Sequence, residues 1–182
     1  MFLWHKRTWW GDITHHHLRE MIFGLEDSLI TCLGTVTGMA AGEQERPVIL
    51  LSGIVVTIVS IASMSAGSYL SSKSALGVQK PLQTEAGRLM SSLRSASTMA
   101  ISYAIGGFLP ILPYLFFPIP IALYLTPCFT ALILFGVGAG SAYYTKASVW
   151  KSGLEMMMIS LGAALIGYLI GQEFTLLFKI NL

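Results

Sequence analysis

Long apolar stretches alternate with short polar ones along the chain. The apolar stretches run from about Glu20 to Gly42, from Val48 to about Leu70, near 96–117, near 120–145, and from Ser152 to about Phe178. Each is close to the roughly 20 residues that carry an α-helix across a hydrocarbon layer. Glu43-Gln-Glu-Arg-Pro47 forms a polar turn between the first two, and Pro47 suits the opening of a helix. The segment 71–95 is polar, with Lys73, Lys80, Pro81, Glu85, Arg88 and Arg94, and its second half can be helical. From Ser95 to Thr145 no residue is charged, too long a run for one helix, and Pro118-Ile-Pro120 divides it. Pro110 and Pro113 should kink the third span and free backbone carbonyls, which lipid tolerates only where protein or a cavity receives them. The pattern predicts an all-α integral membrane protein, with a five-span domain over 20–182 behind a short segment 1–19.

Composition supports that class. Hydrophobic residues make up 54% of the chain and charged ones 11%, with mean hydropathy +0.68, whereas soluble domains carry about 25% charged residues. No room is left for a separate soluble domain. The net charge of +2 gives no reason to invoke nucleic acid, and no nucleic-acid motif is visible. No nucleophile–base pair or phosphate-cradling loop points to an enzyme. Cys32 and Cys128 both lie in apolar stretches without metal-site spacing and read as small buried packing residues. Trp4, Trp9 and Trp10 stand among Lys6, Arg7 and four histidines, as in a headgroup-layer segment. That N-terminus lacks the apolar core of a signal peptide, so insertion is expected to be directed by the first span.

Charge also gives an orientation. With the N-terminus cytosolic, Arg46 and Lys179 are the basic residues outside, and the other 9 of the 11 lie inside. The positive-inside rule therefore predicts N-terminus in and C-terminus out. All four tryptophans, Trp150 included, fall on the same inner boundary.

Within the first span stand two neighbouring acids, Glu26 and Asp27. An acid near the centre of a membrane helix costs roughly 2.5–3.5 kcal/mol, so its presence argues for function. Glu20, Gly24, Asp27, Thr31, Gly34 and Gly38 share one helical face, acidic at the cytosolic end and small beyond. Such a face suits a helix interface or a wet path. Glu26 points about 100° away, towards another partner or as a protonated, hydrogen-bonded group. The second span is antiparallel to the first, which places Met64 at a depth similar to Asp27. A carboxylate oxygen and a thioether sulfur at one level form a mixed ligand set for a transition metal of borderline softness, although a lone methionine is also ordinary core filler. His16 and Glu20 have the i, i+4 spacing of a cation-collecting pair, or belong to an interfacial basic cluster with His15 and His17. Glu155 follows Ser152 at capping-box spacing and reads as a helix cap.

Arg19-Glu-Met-Ile-Phe-Gly24 followed by Asp27, Ser63-Met-Ser-Ala-Gly-Ser-Tyr-Leu-Ser-Ser-Lys-Ser74, and Ala96-Ser-Thr-Met-Ala-Ile-Ser-Tyr-Ala-Ile-Gly-Gly-Phe-Leu-Pro-Ile-Leu-Pro-Tyr114 resemble the first three spans of the vacuolar iron transporter family. The likeness covers nearly all of the chain after residue 18. It implies a homodimer whose first spans frame a metal path, and export of ferrous iron, with manganese as a second substrate, from the cytosol in exchange for protons. Asp27 and Met64 stand at the family's intramembrane metal-path positions, and Glu20 at an acidic position near the entrance. No permanently bound cofactor is implied; Fe2+ or Mn2+ is the cargo.

Three positions depart from the family pattern. Ser28 stands where glycine often follows the aspartate, and Ser68 where many members carry glutamate. The long glutamate-rich cytosolic domain of plant-type members is replaced by the segment 71–95, whose one acid is Glu85. Metal loading is then expected to fall to His15–His17 and Glu20. The alternative is a membrane anchor or assembly subunit that keeps the fold, has lost transport, and binds a cytosolic iron-handling partner. Small faces at Gly34-x-x-x-Gly38 and Gly167-x-x-x-Gly171 are consistent with helix association in the dimer. The default location is a prokaryotic plasma membrane, with a vacuolar membrane as the alternative.

Overall fold

A computed structural model describes residues 9–79 and 84–179. Helices α1 (Trp9–Ala41), α2 (Arg46–Gln79), α3 (Glu85–Phe108), α4 (Leu112–Phe116), α5 (Ile119–Thr145) and α6 (Val149–Lys179) follow one another, with a 3-10 turn at Leu109–Ile111 between α3 and α4. The described residues contain no strand. Much of the polar segment 71–95 is therefore helix, as the end of α2 and the start of α3; Lys80 and Pro81 lie outside the described residues. Residues 9–19 continue α1 as one helix rather than forming a separate segment.

Among the described residues, four helical stretches are long and apolar enough to cross a membrane: Arg46–Leu76, Glu85–Phe116 (α3 through α4), Ile119–Tyr143 and Val149–Leu177. The first helix, expected as a fifth span, is long enough at 33 residues, but Glu20, Glu26 and Asp27 lower its apolarity. Its surroundings explain how the acids are carried. α1 packs on α2, α3, α5 and α6, and no residue from Gly24 to Gly42 is exposed. The helices around it turn Leu51, Val59, Ile101, Leu132, Ile166 and Ile170 outward. Their interior is rich in hydroxyls, including Ser28, Thr37, Thr57, Ser102, Thr126 and Thr130. Apolar outside and small or polar inside is the arrangement that lipid selects.

Short turns make successive long helices antiparallel. The α1–α2 turn uses Glu43 at φ 55° and the α5–α6 turn Lys146 at φ 57°, and Ala147 N–H donates to the Ala142 carbonyl to close α5. At the far end, Arg46 donates to the Phe117 carbonyl at 3.0 Å, tying the start of α2 to the α4–α5 turn.

Pro110 and Pro113 are buried in the bend after α3. Beside them, the Thr57 hydroxyl donates to the Gly107 carbonyl across a buried 3.2 Å contact, so protein from α2 receives a carbonyl at the bend. Thr57→Val should cost about 1–2 kcal/mol, the worth of one buried hydrogen bond plus an acceptor left unpaired. Thermal melting in detergent checks this, and an unchanged midpoint would show the bond to be dispensable.

Two expectations are corrected. Cys128 is exposed on the outer face of α5, while Cys32 is buried; both are free thiols. The two small-residue faces meet each other inside one chain. A Cβ at Gly38 would lie 3.0 Å from the Gly167 carbonyl oxygen, and those at Gly167 and Gly171 would collide with the Gly34 and Gly38 carbonyls. Gly34 and Gly38 thus form the α1–α6 seam, and this motif no longer argues for a dimer.

Candidate functional site

The polar groups on the α2- and α3-facing side of α1 form two levels. At the first, the Ser68 hydroxyl donates to Glu20 Oε2 at 3.1 Å. A cavity of about 210 Å³ opens there, lined by Arg19, Glu20, Phe23, Met64, Ser68 and Met99 among others. At about 30 Å³ per water in bulk, it has room for a partly hydrated ion. At the second level, the Tyr103 hydroxyl donates to Asp27 Oδ2 at 3.0 Å, and the Ser60 and Thr31 hydroxyls stand beside the same phenol.

These contacts place Met64. It lies four residues from Ser60 and four from Ser68, about 6 Å of helical rise from each. Met64 therefore sits between the levels of Glu20 and Asp27 rather than level with Asp27, and it lines the Glu20 cavity. Ser60, Met64 and Ser68 share one face of α2 by their i, i+4 spacing. The approach of α3 depends on Gly24, where a Cβ would stand 3.0 Å from both Met99 Sδ and Ser102 Cβ.

Glu26, half-buried, lies within electrostatic reach of Asp27 and of Glu155 on α6. Glu155 is not a cap. α6 begins at Val149, and Ser152 N–H already donates to the Ser148 carbonyl, so the Ser152–Glu155 pair lies inside the helix. His16 is on the first turns of α1, with its side chain outside the described residues. Among the described residues, no three of His, Cys, Asp and Glu converge as a metal-holding group.

This acid-bearing helix and its partners coincide with a known family pattern. A model described as the VIT family matches residues 18–89 and 76–172. The chain belongs to the VIT family. An uncharacterised protein of Methanocaldococcus jannaschii is 30% identical over 171 residues, covering 86% of this chain and 89% of that protein. Vacuolar iron transporter homolog 1 of Arabidopsis thaliana is 25% identical over 168 residues, 86% of this chain and 79% of its own. Vacuolar iron transporter 1 of Eucalyptus grandis is 34% identical over 87 residues, 46% of this chain and 32% of its own.

Against the VIT pattern, both serine departures have a structural setting. Ser28 is fully buried, donates to the Leu25 carbonyl at 3.0 Å, and packs where any Cβ on Gly106 would collide with its hydroxyl. Ser68 supplies a neutral donor to Glu20 where a second carboxylate would repel it. Tyr103, 76 residues from Asp27 in sequence, is the main site residue that sequence reasoning missed; its block was visible, but nothing local marks a tyrosine as the partner of a distant acid.

Proposed function

We propose that this VIT-family protein carries a divalent transition metal, ferrous iron with manganese as a second substrate, out of the cytosol in exchange for protons. The observation that carries the reading is the sequence Glu20, Met64, Asp27 along one side of α1, where no residue from Gly24 to Gly42 is exposed. Iron enters through the plant relatives, which are named as vacuolar iron transporters or their homologues. Ionised carboxylates attract a divalent cation, and the thioether between them favours softer cations over magnesium and calcium. Protonation of Asp27 removes the charge that holds the ion, which links metal release to proton uptake.

In this reading α1 is the fifth span and the basic inner boundary faces the cytosol. Two subunits form the transporter, because one chain offers too few ligands to strip a metal of its water. The same shortage of ligands among the described residues favours, as a second reading, an anchor or assembly subunit without transport. Proteoliposomes carrying a pH gradient separate the two: the transporter takes up Fe2+ and Mn2+ above empty vesicles, and the anchor does not. With Met64→Leu, uptake should persist while the preference for Mn2+ over Mg2+ drops about tenfold, as for a ligand preference of roughly 1.4 kcal/mol. An unchanged preference would remove Met64 from the path.

A further inference from the structure

Away from the Glu20–Met64–Asp27 side, the bundle contains a second set of polar groups that the metal path does not use. Thr37 on α1, Tyr114 on α4, Thr126 and Thr130 on α5 and Ser160 on α6 are each at most 2% exposed. None of their five hydroxyls has a hydrogen-bond partner among the described protein groups. Thr37 and Thr126 stand beside the Tyr114 phenol, yet no pair meets with bonding geometry. Thr130 follows Thr126 by one turn on the same face of α5.

Ser160 continues the series. A Cβ on Gly138 would stand 2.5 Å from the Ser152 carbonyl oxygen and 3.0 Å from Met156 Sδ. Extended eight residues along these antiparallel helices, that register brings α6 at Ser160 level with Thr130. Ser160 lies five residues, about 8 Å of rise, beyond Glu155, which itself interacts with Glu26. The hydroxyls thus run from the far-end bend at Tyr114 to mid-bundle, towards the pair of acids that the metal path leaves over.

A buried hydroxyl without a partner gives up its bonds to water with nothing in exchange, and five in one bundle are hard to sustain dry. Water bonded to two or three of them at a time restores those bonds. We propose that Thr37, Tyr114, Thr126, Thr130 and Ser160 hold a file of buried water inside the bundle, apart from the metal path.

One measurement on the protein tests this, on the wild type and on a variant. X-ray radiolytic labelling generates hydroxyl radicals from bound water, so Tyr114 should be labelled despite its burial. Labelling should fall about fivefold or more in Thr126→Val/Thr130→Val. Tyr114 labelled no more than the fully buried Leu29 and Leu33 would overturn the file.

Discussion

Asp27→Asn is expected to reduce Fe2+ and Mn2+ uptake in proteoliposomes to the level of empty vesicles, with the protein still folded. The substitution keeps a hydrogen-bonding side chain of the same size for the Tyr103 hydroxyl, now 3.0 Å from Oδ2, and removes only the charge. Since α1 from Gly24 onward has no exposed residue, the missing charge cannot be replaced by bulk water at that level, and a divalent ion there loses its principal counter-charge. Tyr103→Phe should act through Asp27 and cost less. It removes one hydrogen bond to a carboxylate, about 1.5–3 kcal/mol, or roughly 10–150-fold in a rate or affinity that depends on the aspartate's position. Ser60 and Thr31, already beside the phenol, limit the loss of fold. Initial uptake rates measured against external pH distinguish the two roles: the charge variant is inactive at every pH, the tyrosine variant is slowed with an altered pH profile. Uptake by Asp27→Asn at the wild-type rate would remove Asp27 from the mechanism.

The helices and the acid at Asp27 were legible in the chain because a membrane imposes both signals. Apolar runs must be long, and a charge within one is costly enough to stand out. What periodicity does not show is which apolar face meets protein and which meets lipid, since both surroundings are apolar. Cys128 illustrates this: its neighbours read as core, yet it is exposed. Partners distant in sequence are equally silent. Nothing near Glu20 announces Ser68, and nothing near Asp27 announces Tyr103. Ser152-Gly-Leu-Glu155 has the spacing of a cap, but the tight turn at Lys146 lets α6 start at Val149, which frees Glu155 to interact with Glu26 instead. The glycine spacings told correctly of close approach without naming the partner.

That seam gives the largest expected effect on stability. At Gly171, an added Cβ would collide with the Gly38 carbonyl oxygen and stand 2.8 Å from the Gly38 carbonyl carbon and 3.0 Å from Gly42 N. All three are backbone atoms, two in α1 and one in the turn residue that follows it, so no side chain can rotate away; α1 and α6 must separate. Overpacking a well-fitted site costs about 1–3 kcal/mol when side chains yield, and rigid backbone puts Gly171→Ala at or above the upper end. The helix-propensity gain of about 1 kcal/mol for alanine over glycine offsets only part of this. At roughly 2–4 °C per kcal/mol for a chain of this size, a net loss of at least about 2 kcal/mol lowers the melting point by at least about 4–8 °C. Gly162→Ala on the same helix is the control, because no atom lies within 4 Å of its added Cβ, and it should melt at or slightly above the wild-type temperature. Melting of both variants in one detergent by tryptophan fluorescence makes the comparison. Equal midpoints would mean that α1 and α6 do not meet at these glycines, and the interior position of the acid-bearing helix, on which the proposed metal path depends, would fall with them.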